Sequence, residues 1–235
     1  MSNEQITYQD GPLQLQGYMA YPKTSNKSPA VIVIHDWSGN NDFARSKAEY
    51  CASLGYVGFA VDMYGEGKVG TTIEEKSALI QPFKDNRELS IQRLQAACEK
   101  LQQCAQVDTQ KIAIMGFCFG GMCALDFARS GADFKAAISI HGLLMSAPHM
   151  HNPITAKILA LHGHDDPMVP VDQVVAFQQE MTQAKADWQL HTFGNTKHAF
   201  TNPAANDATL GTVYNEYAAQ RTFKIIEAFL TEVFI

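Results

Sequence analysis

The stretch that most constrains this chain is Lys111-Ile112-Ala113-Ile114-Met115-Gly116-Phe117-Cys118-Phe119-Gly120-Gly121. An apolar, β-rich run meets glycines on both sides of a single cysteine, and small residues suited to a helix follow over Met122 to Ser130. Glycine two residues before and two after the cysteine removes Cβ atoms where an incoming strand and an outgoing helix crowd a tight turn. The turn then forces Cys118 into a strained backbone and exposes its side chain at a sheet edge. It also sets the sulfur at a helix N-terminus, where partial positive charge favours a thiolate. Taken alone, the segment also fits an inert buried thiol, the ordinary state of a free cysteine. Deciding between the two requires partners elsewhere in the chain.

Composition narrows the setting. With 46% hydrophobic and 18% charged residues over 235 positions, the chain has the make-up of a compact globule with a large core. Its net charge is −6 and its basic residues are scattered, which argues against a nucleic-acid surface. The opening Met1-Ser2-Asn3-Glu4-Gln5 lacks the basic and apolar regions of a signal peptide, and no apolar run approaches a membrane span. The expectation is a soluble, cytoplasmic protein. Five cysteines without C-x-x-C spacing fit neither a disulfide framework nor a cysteine zinc site. No metal or other cofactor is expected.

Read in order, residues 4–9 and 13–21 form a hairpin around Asp10-Gly11. Ala30 to Ile34 is a continuous apolar strand, the pattern of a sheet covered on both faces, and ends in His35-Asp36-Trp37-Ser38-Gly39. A helix runs to about Leu54, and Tyr56 to Asp62 is the next strand. Gly65-Glu66-Gly67-Lys68-Val69-Gly70 matches G-x-G-x-x-G, but its glutamate would oppose a pyrophosphate and no apolar helix start follows. It reads as a flexible loop, and a nicotinamide-dependent oxidoreductase is disfavoured. Residues 72–83 form a short helix or lid.

Asp85-Asn86-Arg87-Glu88 resembles a capping box opening a helix to about Cys104, with Ile91, Leu94, Cys98 and Leu101 inward. Arg87 extends that stripe by one turn. After Cys118 come strands at Phe134–Ile140, Lys157–Leu161 and Trp188–Phe193. A helix over Asp172–Lys185 turns Val174, Phe177 and Met181 inward. A last helix, from about Val213 to Phe234, buries Tyr217 or Ala218, Ile225, Phe229 and Val233. Strand–helix alternation over this length predicts a three-layer α/β sandwich with a mostly parallel central sheet, as one domain over 1–235.

In such sheets ligands bind beyond the carboxyl ends of the strands. The polar residues ending the strands are Asp36, Trp37, Cys118, His141, Asp166 and His198. In Gly163-His164-Asp165-Asp166-Pro167, Asp166 stands three residues after the glycine, ahead of a Val-Pro helix start, and Asp165 does not fit that spacing. His198 lies between the last strand and the last helix. Nucleophile, acid, histidine is the chain order of an α/β hydrolase. His141 is a candidate pocket wall. His35, His162 and His164 read as loop contacts, and His149-Met150-His151 as a surface loop rather than a metal site.

These pieces resemble the dienelactone hydrolase family. The likeness is carried by Gly116-Phe117-Cys118-Phe119-Gly120-Gly121, Gly163 through Pro170, Lys197-His198-Ala199-Phe200, the Val31–Gly39 segment, and Gly55-Tyr56 through Asp62-Met63-Tyr64. It implies the α/β-hydrolase fold, a Cys118–His198–Asp166 triad, and an oxyanion hole from the backbone N–H groups of Trp37 and Phe119. It also implies a small ester or lactone as substrate. Two positions depart from the family. Asp36 stands where a glutamate is usual near the thiol, and Asn202 where an arginine holds the substrate carboxylate, for which Arg87 is a candidate substitute. The rival expectation is a non-catalytic scaffold of the same fold that binds a small ligand.

Overall fold

The computed structural model describes residues 1–146 and 152–235, which divide into two compact units, Met1–Met115 and Gly116–Ile235. The His149-Met150-His151 segment lies outside the described residues.

In the first unit β1 (Ser2–Asp10) and β2 (Leu13–Tyr21) form the expected antiparallel hairpin, with Asp10 opposite Leu13. β3 (Ser28–Ile34), α1 (Asp42–Ser53), β4 (Val57–Val61), α2 (Ile73–Asp85), α3 (Glu88–Gln102) and β5 (Val107–Phe117) follow. The strand order of this unit is β1-β2-β4-β3-β5, with β3 and β4 parallel. β4 is buried at all five positions and β3 at all but one. That explains why both read as unbroken apolar runs rather than alternating ones.

Helix boundaries depart from expectation where caps decide them. Of the short helix or lid expected over 72–83, the helix is what forms: α2 spans 13 residues, opened by a reciprocal capping box between Thr72 and Glu75. The Asp85–Glu88 segment is no capping box: Asp85 closes α2, and Arg87 precedes α3 without a side-chain cap bond. Asn86 helps at this start, its Oδ1 accepting the Glu88 N–H at 3.1 Å. Leu94 and Leu101 are buried as expected, while Ile91 and Cys98 are half-buried and small residues (Ser90, Ala96 and Ala97) fill the inner face.

The glycine-rich loop has a clear role. The buried Asp62 carboxylate accepts N–H bonds from Tyr64 and Gly65 at Oδ1 and from Gln16 and Gly67 at Oδ2, at 2.8 to 3.0 Å. A carboxylate of the chain's own fills the place a phosphate would need. The loop is pinned rather than flexible.

The second unit contains α4 (Phe119–Arg129), β6 (Ala136–Ile140), β7 (Lys157–Gly163), α5 (Val171–Gln183), β8 (Trp188–Phe193), β9 (Asn206–Asp207), β10 (Thr212–Val213) and α6 (Glu216–Val233). β6, β7 and β8 are parallel neighbours. α4 is buried at every position, so it shows no polar stripe. Its last residue, Arg129, is 1% exposed. Its guanidinium donates to both Glu180 carboxylate oxygens at 2.7 and 2.8 Å, to the Leu144 carbonyl and to Asp126, joining α4 to α5.

α6 differs most from expectation. It starts at Glu216 behind an Asn215 cap, since Thr212 and Val213 pair with Asn206 and Asp207 as a short hairpin. Its buried face is Ala218, Ala219, Thr222, Ile226, Phe229 and Leu230, while Tyr217 is 72% exposed. Alanine and threonine carry little hydrophobic signal, so a reading that followed the large side chains chose the neighbouring stripe with Ile225 and Val233. Among the described residues, no helix is long and apolar enough to cross a membrane.

Candidate active site

Cys118 stands between β5 and α4 with φ 53° and ψ −113°, a region costly for any residue but glycine. The strain is enforced sterically. A Cβ on Gly116 would lie 2.0 Å from the Gly120 carbonyl oxygen, so only glycine lets the strand pass the first turn of the helix. The Cys118 N–H is shared between the Ile140 carbonyl at 3.0 Å and His141 Nδ1 at 3.2 Å, and its carbonyl accepts from Gly121 and Met122. Cys118 is half-buried. By contrast, burial pushes the thiols of Cys51 and Cys98 up to about 12, which keeps them protonated and unreactive.

The acid and the histidine are brought together by the ends of β7 and β8. A Cβ on Gly163 would meet the Thr196 and Lys197 carbonyls at 2.4 and 2.8 Å, and the Asp165 N–H donates to the Thr196 oxygen. This close approach puts Asp166 beside His198. Asp166, 3% exposed, accepts the Met168 N–H at Oδ1 (2.8 Å) and the His198 Nδ1–H at Oδ2 (2.7 Å). Asp165 points to solvent. His198 is braced by its N–H to the Gly211 carbonyl and its carbonyl to the Val213 N–H.

With Nδ1 bound to Asp166, the other ring nitrogen of His198, Nε2, is buried and makes no hydrogen bond of ordinary geometry. Burial opposes charge on this ring. The charge of Cys118 and the Asp166 carboxylate outweigh it and raise the pKa from 6.5 to about 10. Cys118 is the stronger of the two influences.

The remaining expected contacts are placed as follows. His141 is not an open pocket wall: it is 2% exposed, and Nε2 bonds Thr201 Oγ1 at 2.9 Å while Nδ1 accepts from Cys118. The Asn202 side-chain oxygen accepts the Ala204 N–H at 3.0 Å and so shapes its own turn. In the first unit, Asp36 Oδ1 accepts the Ser38 N–H at 2.8 Å. The Trp37 carbonyl accepts from Tyr64 Oη, and the ring lies under Lys76 Nζ at 5.4 Å from its centroid. Arg87 is half-exposed ahead of α3. His35 is buried and held neutral, below its usual range, by burial; its Nε2 accepts the Met63 N–H, so it serves the strand ends. His162 is likewise lowered by burial, and His164 is exposed. Among the described residues, no three His, Cys, Asp or Glu side chains stand close enough to share a metal ion. Thr201 and Lys76 escape a sequence reading. A threonine three residues past His198 is the only signal for the first, and nothing local marks the second.

Strand–helix alternation, a strained cysteine turn and a buried Asp–His pair after later strands are the marks of an α/β hydrolase, with a large, mostly parallel sheet flanked by helices. Residues 15–234 match the dienelactone hydrolase family, and the chain belongs to that family of hydrolases. Among curated relatives, Protein usf of Aquifex pyrophilus is 26% identical over 97% of this chain and 98% of its own. A carboxymethylenebutenolidase homolog of Pongo abelii is 25% identical over 84% and 81%. Among solved structures, a dienelactone hydrolase-like promiscuous phosphotriesterase from metagenomic libraries superposes with a TM-score of 0.95 at 32% identity, covering 100% of this chain and 99% of that one.

Proposed function

We propose that this protein hydrolyses small carboxylic esters or lactones through a covalent thioester on Cys118. The observation that carries the reading is His198: fully buried, bound to Asp166 through Nδ1, and raised to about 10 chiefly by Cys118 against the cost of burial. A ring raised that far carries its proton at neutral pH and can pass it to a leaving group. Cys118 Sγ attacks the carbonyl carbon, and the Phe119 and Trp37 N–H groups are the donors we assign to the oxyanion. The C–O bond to the leaving group breaks as His198 Nε2 passes its proton to the departing oxygen. Water then gives a proton to His198 and attacks the thioester. The S–C bond breaks, releasing the acid and freeing the sulfur beside a histidine that already carries the proton taken from water. Asp166 fixes the ring's tautomer throughout. A thiolate leaves more readily than an alkoxide, so substrates with good leaving groups, such as aryl esters and enol lactones, suit this nucleophile best. Asp36, Arg87 and Asn202 are the proposed substrate contacts. The backbone bonds to Asp36 and Asn202 limit how freely those two can reorient.

The test compares turnover of an activated aryl ester and of an enol lactone by wild type, Cys118→Ala and His198→Ala. Each substitution lowers kcat/KM by roughly 10³-fold or more. A thiol alkylator silences the wild type, and substrate protects it. Undiminished turnover by Cys118→Ala sinks the covalent mechanism. No hydrolysis across the panel, with saturable ligand binding, turns the reading to a binding scaffold. An aryl phosphotriester belongs in the same panel, because the metagenomic relative is described as a phosphotriesterase.

A further inference from the structure

His141 is a buried, titratable side chain to which the mechanism above gives no work. Its surroundings are specific. Cys118 donates its backbone N–H to Nδ1 at 3.2 Å, which requires that nitrogen to be unprotonated. Nε2 must then carry the hydrogen and donates it to Thr201 Oγ1 at 2.9 Å; Thr201 is itself buried in the loop that follows His198. The ring packs edge-on against His198 and Phe200, each with centroids at 5.2 Å, and tilted against Phe117 at 6.0 Å. Its backbone has φ 39°, a strained value for a non-glycine residue, and a costly conformation persists only where surrounding contacts over-determine it.

We infer that His141 is a positioning residue: one imidazole clamps the backbone of the Cys118 turn through Nδ1 and the loop after His198 through Nε2 and Thr201, fixing where thiol and base stand relative to each other. This rests on the reading of Cys118 as nucleophile, and deepens it by naming what sets its geometry. The titratable groups facing the ring are His198, in contact with it, and Cys118, with Asp166 behind His198. Burial and the neighbouring His198 both hold His141 well below its usual range, which keeps Nδ1 available as an acceptor. Protonation would remove that acceptor and set two cations side by side. The Cys118 N–H also reaches the Ile140 carbonyl, so loss of the ring leaves that donor bonded and the turn displaced rather than unfolded.

The test uses His141→Leu, which removes both bonds, and His141→Asn, whose side-chain oxygen can replace the Nδ1 acceptor. Thr201→Val removes the far anchor at constant volume. Three readouts are taken on the full chain: kcat and KM for an aryl ester, the rate of Cys118 alkylation by iodoacetamide followed by mass spectrometry, and folding by circular dichroism. His141→Leu lowers kcat about 100-fold with little change in KM, the scale of a small misplacement of reacting groups, and slows alkylation of Cys118. His141→Asn recovers kcat to within about tenfold of wild type, and Thr201→Val loses about tenfold. A folded His141→Leu with wild-type kcat and alkylation rate overturns the inference, as does a His141→Asn no better than His141→Leu. If His141→Leu does not fold, wild-type values in both His141→Asn and Thr201→Val overturn it. The alkylation rate reads the turn without substrate. It therefore decides the His141 claim even if Cys118→Ala keeps its turnover and the nucleophile reading fails.

Discussion

Two histidines 5.2 Å apart have opposite electrostatic fates, and the difference lies in their partners. Both are buried, which disfavours the charged form of either. His198 gains Cys118 and Asp166 and rises to about 10, whereas His141 faces a backbone N–H, a hydroxyl and His198 itself, and falls. The linkage consequence has a definite sign. Because the folded pKa of His198 lies above the ordinary 6.5, its contribution to stability is full below about 6.5 and is lost as pH rises through about 10. In Cys118→Ala the largest influence raising the ring is gone. The His198 titration followed by NMR moves to lower pH, and the alkaline fall in stability starts earlier than in wild type. An unchanged His198 titration in that variant contradicts the assignment of Cys118 as its principal charge partner.

Elements place these residues through close backbone approach. Gly163 lets the end of β7 run against the loop that carries His198, and a methyl there meets two carbonyl oxygens inside contact distance. Gly163→Ala therefore pushes the Asp166 turn away from His198. Activity falls about 100-fold or more, because a displacement near 1 Å at the reacting groups has that effect. Steady-state kinetics beside circular dichroism separate this from general unfolding. A different device governs α2. Thr72 Oγ1 accepts the Glu75 N–H, and the Glu75 carboxylate accepts from Thr71 and Thr72. Thr72→Ala lowers stability by about 1 kcal/mol in urea unfolding and leaves the kinetics of an aryl ester unaltered. A kinetic change would give α2 a part in the reaction that its cap alone does not imply.

On the scale of the whole molecule, the proposed catalytic groups Cys118, Asp166 and His198 all belong to the second unit, while Asp36, Trp37 and Arg87 belong to the first. The second unit's internal order depends on a buried charge cluster rather than on apolar packing alone. Arg129 ends the helix that Cys118 begins, and it is paired with Glu180, Asp126 and the Leu144 carbonyl. Arg129→Leu removes an ion-pair partner of the buried Asp126 and one half of the bidentate pair with Glu180, and lowers unfolding free energy by about 3 to 5 kcal/mol. Chemical denaturation measures this directly. A loss under 1 kcal/mol would mean that the pair's desolvation had nearly cancelled its attraction.

Much of this was legible before any coordinates. β3 and β4 announce themselves as unbroken apolar runs. The Gly116–Gly121 pattern fixes a strained turn, because excluded volume acts over a few residues and needs no partner. The spacing after Gly163 separates Asp166 from Asp165 for the same reason. The family likeness is carried by such local patterns. What the chain order could not decide was anything set by residues distant in sequence. Asp62 had to fold back onto its loop before G-x-G-x-x-G could be seen as the chain's own carboxylate site. The α6 face depended on alanines and a threonine that carry little hydrophobic signal. Around the Cys118 turn, local sterics determined the backbone geometry of the cysteine, but only tertiary structure assigned the two nearby imidazoles. Burial and charge partners set a histidine's protonation, and both arrive from elements far apart in the chain.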